Sequence, residues 1–205
     1  MKAIVLASGG LDSTVAAAVA KEEGWDLYLL TVVYGQRHQI EVSCAKQIAS
    51  WVRAKDHKIV TLDLSMFGGS VLLGEGDVPK NRSEQDRHEG IPVTYIPARN
   101  TVFLSFALGF AETIQARSIF IGANILDYSG YPDCRLEFLR AFQEVGRLGT
   151  KMGVEGKTVE INAPLLQFSK SQIIQRGIDL GVPFESTHSC YDPDTAGIAC
   201  GQCDS

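Results

Sequence analysis

The stretch Ala3-Ile4-Val5-Leu6-Ala7-Ser8-Gly9-Gly10-Leu11-Asp12-Ser13 lies at the start of the chain and decides the fold. Its first four residues form a wholly apolar run, which is typical of a parallel strand buried on both faces. A glycine turn follows, and the alanine-rich residues 12–23 predict a helix that ends before Gly24. A buried strand, a tight turn and a helix in this order are the first unit of an α/β sheet.

The same alternation continues along the rest of the chain. Apolar runs predict strands at residues 27–34, 58–64, 118–121 and 158–162, and apolar periodicity predicts helices through 45–52, 103–114, 136–148 and 169–180. Ser169 and Gln172 have the spacing of a capping box at the start of the last helix, which ends at Gly181. This alternation predicts a doubly wound, Rossmann-like parallel sheet. The polar stretch at residues 65–90 carries no predicted role.

Size and charge narrow the class of protein. The chain has 205 residues and a net charge of −5, which suits one α/β domain at residues 1–185 with a small C-terminal segment at 186–205. The sequence contains no long run of Lys or Arg, which argues against binding along a nucleic-acid backbone. The apolar start is too short for a signal peptide, so we expect a cytoplasmic protein with no membrane partner. Its five cysteines are then expected to stay reduced or to bind metal.

The turn after the first strand predicts an anion-binding site. In a doubly wound sheet, ligands bind beyond the carboxyl ends of the strands, where this turn lies. Gly9 and Gly10 let an anion approach the backbone N–H groups closely. The next helix directs its positive N-terminal end to the same place, and Ser8, Ser13 and Thr14 supply hydroxyl donors. Phosphate is the expected ligand.

Two common phosphate-binding loops do not fit this turn. No lysine follows the glycines, as it would in the Gly-Lys-Ser/Thr loop, and the third glycine of the dinucleotide fingerprint is missing. A simpler interpretation is a Gly-Gly turn in which Asp12 or Ser13 caps the helix, and Asp12 could both cap it and hold Mg²⁺.

The hexapeptide Ser8-Gly9-Gly10-Leu11-Asp12-Ser13 resembles the PP-loop of the ATP pyrophosphatase superfamily. Members of that superfamily cleave ATP between the α and β phosphates and adenylate a substrate oxygen. The resemblance implies an adenine nucleotide alpha hydrolase-like fold and an ATP-binding segment. That segment comprises Ala7, Ser8, Gly9, Gly10, Leu11, Asp12, Ser13, Thr14, Val15, Ala16 and Ala17.

Three cysteines lie near the end of the chain: Cys190, Cys200 and Cys203. The C-x-x-C spacing of the last two is the one that places two thiolates on one metal ion. Because structural zinc takes four ligands, these three predict a Zn²⁺ site with one more ligand, for which His188 is a candidate. Reduced thiols or a redox pair are the alternatives. Cys44 is expected in the core, and Cys134 in a polar loop.

Further segments extend the resemblance over essentially the whole chain. They are Tyr34-Gly35-Gln36-Arg37-His38, Ile96-Pro97-Ala98-Arg99-Asn100, Gly122-Ala123-Asn124, Asp127-Tyr128-Ser129-Gly130-Tyr131-Pro132-Asp133-Cys134-Arg135, Ser189-Cys190-Tyr191 and Cys200-Gly201-Gln202-Cys203-Asp204-Ser205. Together with the hexapeptide they resemble the 7-cyano-7-deazaguanine synthase family of queuosine biosynthesis.

This resemblance implies a ligase. Such an enzyme converts 7-carboxy-7-deazaguanine and ammonia to 7-cyano-7-deazaguanine with ATP, through adenylated intermediates. The family uses zinc structurally, and its pattern continues with a further cysteine just beyond Ser205. A homodimer is implied, with small-molecule substrates and no nucleic acid.

Three residues are candidates for catalysis: Asp12, Lys170 and Arg99. Lys170 lies in the first turn of the last helix, where the helix dipole disfavours a cation; a phosphate ligand would explain it, and a surface lysine is the alternative. Arg99 precedes a helix that Asn100 or Thr101 could cap, and a phosphate or substrate contact is favoured over a salt bridge at the rim.

The substrate is expected to contact residues that follow strands. The loop at residues 127–134 is the candidate for binding the substrate. It carries aromatic, carboxylate and glycine groups suited to a flat purine-like base, although its tyrosines could instead be packing residues. The predicted substrate-binding residues are His38, Asn100, Asp127, Tyr128, Gly130, Tyr131 and Asp133.

Two other functions compete with this prediction. A PP-loop enzyme that modifies tRNA would need a basic face, and usually an RNA-binding domain or a cysteine pair near the loop. A nucleotide-binding sensor without turnover would keep the loop but would have no need for the polar groups at Arg99, Asp127 and Lys170.

Overall fold

The computed structural model describes residues 1–38, 40–74, 76–83, 90–125 and 130–205. Its strands are β1 (Lys2–Leu6), β2 (Asp26–Val33), β3 (Asp56–Thr61), β4 (Ser118–Phe120) and β5 (Glu160–Asn162). Its α-helices are α1 (Leu11–Glu22), α2 (Ile40–Val52), α3 (Arg99–Ile114), α4 (Leu136–Gly149), α5 (Lys151–Val154) and α6 (Lys170–Asp179). The strands form one parallel sheet in the order β3-β2-β1-β4-β5. The predicted doubly wound fold is therefore confirmed.

Alternate side chains of β1 face two different hydrophobic layers. Ala3 and Val5 pack with buried residues of α1 and α2, whereas Ile4 and Leu6 pack with α3 and α4. All four are less than a tenth exposed. A strand buried on both faces has no room for polar side chains, which explains the wholly apolar run in the sequence. The core therefore lies on both sides of the central strand.

The strand order reverses at β1. From there the chain builds outward to β2 and β3 on one side, and later to β4 and β5 on the other. Because α1 and α3 lie on opposite faces of the sheet, a crevice opens beyond the carboxyl ends of β1, β2 and β4. This topology, rather than any single residue, sets the position of the site.

Two helices begin at residues other than the candidate caps. Helix α1 begins one residue earlier than predicted, with Gly10 as its N-cap, so neither Asp12 nor Ser13 caps it. Helix α3 begins at Arg99 after Ala98, a left-handed residue, so Asn100 and Thr101 lie inside the helix. The capping box of Ser169 and Gln172 on α6 is confirmed. Local capping rules failed where residues distant in sequence bind the amides at the start of the helix.

The polar stretch at residues 65–90 contains two short 3₁₀ helices, Ser65–Phe67 and Val71–Leu73, within its described part. Leu72 and Leu73 are buried in a small cluster with Leu64 and Ile96. The stretch therefore has an apolar anchor of its own. In the described ranges, no helix has the length and apolarity to cross a membrane. The domain boundary between residues 185 and 186 stays a prediction.

Candidate active site

A cavity of about 200 Å³ lies at the carboxyl ends of β1, β2 and β4. The PP-loop turn forms its floor, and the first turns of α2 and α3 and the chain after Ser189 form its sides. The polar residues that line it include Ser8, Asp12, Ser13, Thr31, Gln36, Glu41, Arg99, Asn100, Asn124, Ser189 and Tyr191. The crevice that the strand order creates is thus lined by hydroxyl, carboxylate, amide and guanidinium groups.

Hydroxyl groups hold the backbone amides of the PP-loop turn. The Ser8 amide donates to Ser13 Oγ (3.2 Å), the Gly10 amide to Ser8 Oγ (3.2 Å) and the Leu11 amide to Ser189 Oγ (2.9 Å). The first amides of a helix have no partner within the helix, so external acceptors must satisfy them. A hydroxyl can rotate away, and an anionic oxygen at the helix N-terminus can replace it. The turn can therefore bind a phosphate group.

Two glycines permit the close contacts around this turn. Gly9 has φ +86°, and a Cβ placed there would lie 2.2 Å from the Glu41 carbonyl oxygen. A Cβ on Gly122, just after β4, would lie 2.8 Å from the Ser13 amide nitrogen. Any side chain at either position would push the turn out of place. Both glycines are therefore required by the shape of the site.

Two of the three predicted catalytic residues, Asp12 and Arg99, line this cavity, and the third, Lys170, pairs with Asp12. Lys170 Nζ lies 3.2 Å from both carboxylate oxygens of Asp12, although the two residues are 158 positions apart. The Arg99 guanidinium lies 5.9 Å from the ring centres of Tyr34 and Phe103, within range of a cation–π interaction. Burial raises the pKa of the Tyr34 phenol to about 12. One cationic group, Arg99, therefore lines the cavity, and a second, Lys170, pairs with the Asp12 carboxylate of the PP-loop turn.

The predicted ATP-binding segment divides into two parts. From Ala7 to Ser13 its residues form the turn, and most of them line the cavity. Thr14 is buried, and its hydroxyl donates to the Gly10 carbonyl (2.8 Å). The side chains of Val15, Ala16 and Ala17 are fully buried in the core clusters. These last three side chains therefore support the helix and do not reach the cavity.

The predicted substrate-binding residues take different positions. Tyr131 lines the cavity and shares a hydrogen bond with Thr94 (2.7 Å). Asn100 also lines the cavity, and its backbone amide donates a hydrogen bond to a carboxylate oxygen of Asp133 (2.9 Å). Asp133 is itself buried, and burial raises the pKa of its carboxyl group. Asp133 therefore stabilises the start of α3 and is not among the residues that line the cavity.

Other residues of this predicted set lie elsewhere. His38 Nε2 lies 3.0 Å from the Cys190 carbonyl, and its ring packs edge-on against His188 at 5.2 Å. His38 therefore faces the C-terminal region rather than the cavity. Gly130 packs against the Gly90 backbone. Asp127 and Tyr128 lie outside the described residues.

Several residues that line the cavity had no role predicted from the sequence. Glu41, in the first turn of α2, is the main example. Burial raises the pKa of its carboxyl group to about 7, and the nearby Arg99 charge acts in the opposite direction. Ser189 and Tyr191 also line the cavity. The position of Glu41 in the first turn of the helix that follows β2 was a signal that could have found it.

The three C-terminal cysteines form one cluster. The sulfur atoms of Cys190, Cys200 and Cys203 lie within 4.8 Å of one another, and those of Cys190 and Cys203 are 3.9 Å apart. A tetrahedral zinc ion with Zn–S bonds of about 2.3 Å holds its sulfurs about 3.8 Å apart. The Gln202 amide donates to Cys200 Sγ and lowers the pKa of that thiol to about 7. The donor set therefore fits a thiolate-bound metal ion.

The other two cysteines and His188 stand outside this cluster. Cys44 is buried, as predicted. Cys134, at the end of a 3₁₀ turn in the predicted loop, is also buried, and burial raises the pKa of its thiol to about 12. His188, the candidate fourth ligand, is not part of the metal-binding group found among the described residues.

The cysteine segment, residues 188–205, is held by residues 76–83. Lys80 forms an antiparallel bridge with Cys203, and the Asn81 amide donates to the Gln202 carbonyl (2.8 Å). Lys80 also pairs with Asp192 (2.8 Å), and Arg82 pairs with Asp204 (2.7 Å). Part of the polar stretch, for which the sequence predicted no role, therefore supports the cysteine cluster.

Comparisons with known proteins place this chain in a family. The family described as "Queuosine biosynthesis protein QueC" matches residues 2–205. A protein of Desulfatibacillum aliphaticivorans named 7-cyano-7-deazaguanine synthase is 55% identical over 205 residues, which cover 100% of this chain and 88% of that protein. One of the same name from Kineococcus radiotolerans is 53% identical, with 99% and 89% of the two chains covered.

Solved structures share the fold at much lower identity. A 4-thiouridine synthetase in complex with RNA and bound ATP has a TM-score of 0.59 at 20% identity, covering 90% of this chain and 42% of that one. NMN synthetase from Francisella tularensis has a TM-score of 0.53 at 17% identity, covering 99% and 70%. At these identities the likeness concerns the fold alone.

Proposed function

The chain belongs to the QueC family of queuosine biosynthesis proteins, and from that premise we propose that it is a 7-cyano-7-deazaguanine synthase. It would convert 7-carboxy-7-deazaguanine and ammonia to the nitrile at the expense of ATP. The observation that carries the proposal is the cavity beyond β1, β2 and β4, with the PP-loop turn at its base and Arg99 at its side.

The chemistry explains the need for ATP. A carboxylate does not react with ammonia because its oxygen is a poor leaving group. Attack of that oxygen on the α phosphorus releases pyrophosphate and makes the oxygen part of AMP, which ammonia can displace to give the amide. Adenylation of the amide oxygen, followed by loss of AMP, gives the nitrile. Fixed donors around the triphosphate would stabilise the charge that develops on pyrophosphate.

Asp12, Lys170 and Arg99 are the residues proposed to act on the phosphates. The carboxylate of Asp12 would hold Mg²⁺, for which oxygen is the preferred ligand. The Lys170 ammonium, now paired with Asp12, would then contact a phosphate oxygen. Arg99 would bind a phosphate or the substrate carboxylate with its planar fork of donors. Tyr131 and Asn100 are the described residues proposed to contact the deazaguanine, with Asp127 and Tyr128 from the same predicted set.

We propose Zn²⁺ for the cysteine cluster, with a structural role. Three thiolates at this spacing suit zinc, so a redox role for the cysteines is not needed to explain the cluster. The ion would join Cys190 to Cys200 and Cys203 and so hold the cysteine segment against the PP-loop. Ser189, next to Cys190, already binds the Leu11 amide.

We also propose a homodimer that acts in the cytoplasm. Val145, Leu148 and Val154 on α4 and α5 are more than half exposed, and apolar side chains of this kind are often covered in oligomers. Light scattering coupled to size-exclusion chromatography would give the mass directly. A monomer at micromolar concentration would contradict this part of the proposal.

The test of the activity is incubation with ATP, Mg²⁺, an ammonium salt and 7-carboxy-7-deazaguanine. Mass spectrometry is expected to detect the nitrile, and nucleotide analysis is expected to detect AMP and pyrophosphate. ADP and phosphate as the products would exclude adenylation. Nucleotide binding without turnover would favour the sensor, and turnover only with tRNA would favour an RNA-modifying enzyme.

A further inference from the structure

Making a nitrile from ammonia requires the nitrogen to lose every proton it carries. Attack of ammonia on the adenylated acid breaks the carbon–oxygen bond to AMP and releases one proton. Adenylation of the amide oxygen releases a second proton and gives an imidate. In the last step the N–H electron pair forms the third carbon–nitrogen bond, the bond to the second AMP breaks, and the final proton leaves. No oxidant or reductant is needed, but a proton acceptor beside the nitrogen is.

Most titratable groups in the cavity are poor acceptors at neutral pH. Burial raises the pKa of the Tyr34 and Tyr131 phenols, so both are protonated near pH 7. Burial raises the pKa of the Cys134 thiol to about 12, so it too is protonated. No histidine is among the described residues that line the cavity. Among the described residues that line the cavity, two side-chain carboxylates are left.

These two carboxylates, Asp12 and Glu41, differ in their partners. Asp12 pairs with Lys170, and we assign it to Mg²⁺. The Glu41 carboxylate has no hydrogen bond or ion pair to any residue in the described ranges. It lines the cavity from the first turn of α2, and its backbone carbonyl abuts Gly9 of the PP-loop turn. The side chain therefore starts beside the turn that would hold the α phosphate, where the reacting carbon must also lie.

We infer that Glu41 is the catalytic base that accepts protons from the substrate nitrogen in amide and nitrile formation. This inference rests on the proposed function and adds the proton acceptor that Asp12, Lys170 and Arg99 do not supply. Its raised pKa of about 7 suits the task, because a base titrating near the working pH combines ionisation with affinity for a proton.

The test separates adenylation from the steps in which nitrogen loses protons. Exchange of labelled pyrophosphate into ATP, with 7-carboxy-7-deazaguanine and no ammonia, measures the first adenylation alone. Glu41→Gln is expected to keep this exchange within about a factor of three of the wild type. Nitrile formation from the acid and ammonia is expected to fall about 100-fold or more. Supplying the amide in place of acid and ammonia should reveal a similar loss.

Each remaining outcome overturns the inference. Loss of exchange in Glu41→Gln would mean that Glu41 binds the substrate. A defect with ammonia but normal turnover of the amide would mean that it only attracts ammonium. Full nitrile formation would mean that it has no role. If the wild type produced neither exchange nor nitrile, the proposed function itself would fail, whatever the variant did.

Two further measurements guard against a merely structural effect. Wild-type kcat should rise with pH around an apparent pKa near 7, and this limb should be absent in Glu41→Gln. The groups that face Glu41 and act on its charge are Arg99, Tyr34 and Cys44. Glu144→Gln, an exposed change on α4, is the matched control and should behave as the wild type.

Discussion

The cavity at the PP-loop and the cysteine segment are two sites in one chain that are built by different means. The cavity lies at the ends of three strands whose side chains are buried on both faces, so its walls rest on the hydrophobic core. The cysteine segment has neither an α-helix nor a strand in residues 188–205, and a single bridge, scattered hydrogen bonds and ion pairs hold it to the rest of the chain.

This difference indicates which of the two sites needs its ligand to keep its shape. Backbone hydrogen bonds and packed side chains fix the shape of the cavity before any nucleotide binds. The ion pair of Lys80 with Asp192 is partly exposed and contributes little, so it cannot fix the cysteine segment in the same way. Metal binding to thiolates is coupled to local folding. We therefore expect the cavity to keep its shape without nucleotide and the cysteine segment to need its metal.

The largest expected effect comes from Gly9→Ala, which changes the shape of the cavity. The new Cβ would meet the Glu41 carbonyl at 2.2 Å, and φ is +86°. Displacement of the turn should lower ATP affinity and turnover about 100-fold or more. Titration calorimetry with a non-hydrolysable ATP analogue would measure the binding.

Gly24→Ala is the control for Gly9→Ala. Gly24 has a similar φ of +80°, but a Cβ there would meet nothing within 4 Å. It should cost about 1 kcal/mol of stability and leave ATP binding intact. Equal loss of binding in both variants would refute the argument from the close contact.

The second prediction tests charge in the cavity rather than shape. Asp12→Asn removes the carboxylate that faces Lys170 at 3.2 Å and keeps its size. Turnover should fall about 100-fold, and the Mg²⁺ concentration for half-maximal rate should rise, because a neutral amide is a weaker Mg²⁺ ligand. Kinetics over a Mg²⁺ series would measure both. Asp26→Asn, at an exposed carboxylate near the N-terminus, should change neither.

The third prediction concerns the cysteine segment. Cys200→Ser should lower bound zinc from about one ion per chain to near none, measured by mass spectrometry of metals. Amide exchange should rise in residues 188–205 and 76–83 while the strands keep their protection. Cys44→Ala, outside the cluster, should keep its zinc. Faster exchange in β1 and β2 of Cys200→Ser would contradict the separation of the two regions.

The smallest expected effect is on stability and uses no substrate. Burial raises the pKa of Glu41 from 4.5 to about 7, so the folded protein binds this proton more tightly than the unfolded chain does. The wild type therefore loses stability as pH rises between these values, by about 1–3 kcal/mol at most. Glu41→Gln should resemble the wild type at pH 4, below the unfolded value, and be more stable at pH 8 in thermal unfolding. An equal difference at both values would contradict the raised pKa.

Local patterns in the sequence were enough to predict the framework. The apolar run at residues 3–6, the glycine turn and the alanine-rich helix are properties of neighbouring residues, and so is the capping box of Ser169 and Gln172. The Cys200 and Cys203 pair is likewise a matter of spacing. Periodicity and turn chemistry act over a few residues, so they can be recognised without knowing what packs against them.

Only the tertiary structure decided which distant residues complete the site. The Leu11 amide binds a hydroxyl from Ser189, 178 positions away, and Lys170 reaches Asp12 across 158. The first contact also supplies a distant acceptor for the first amide of α1, a helix that neither Asp12 nor Ser13 caps. Crossover connections bring strand ends together irrespective of their separation in sequence, and the sheet order that does so depends on packing over the whole domain.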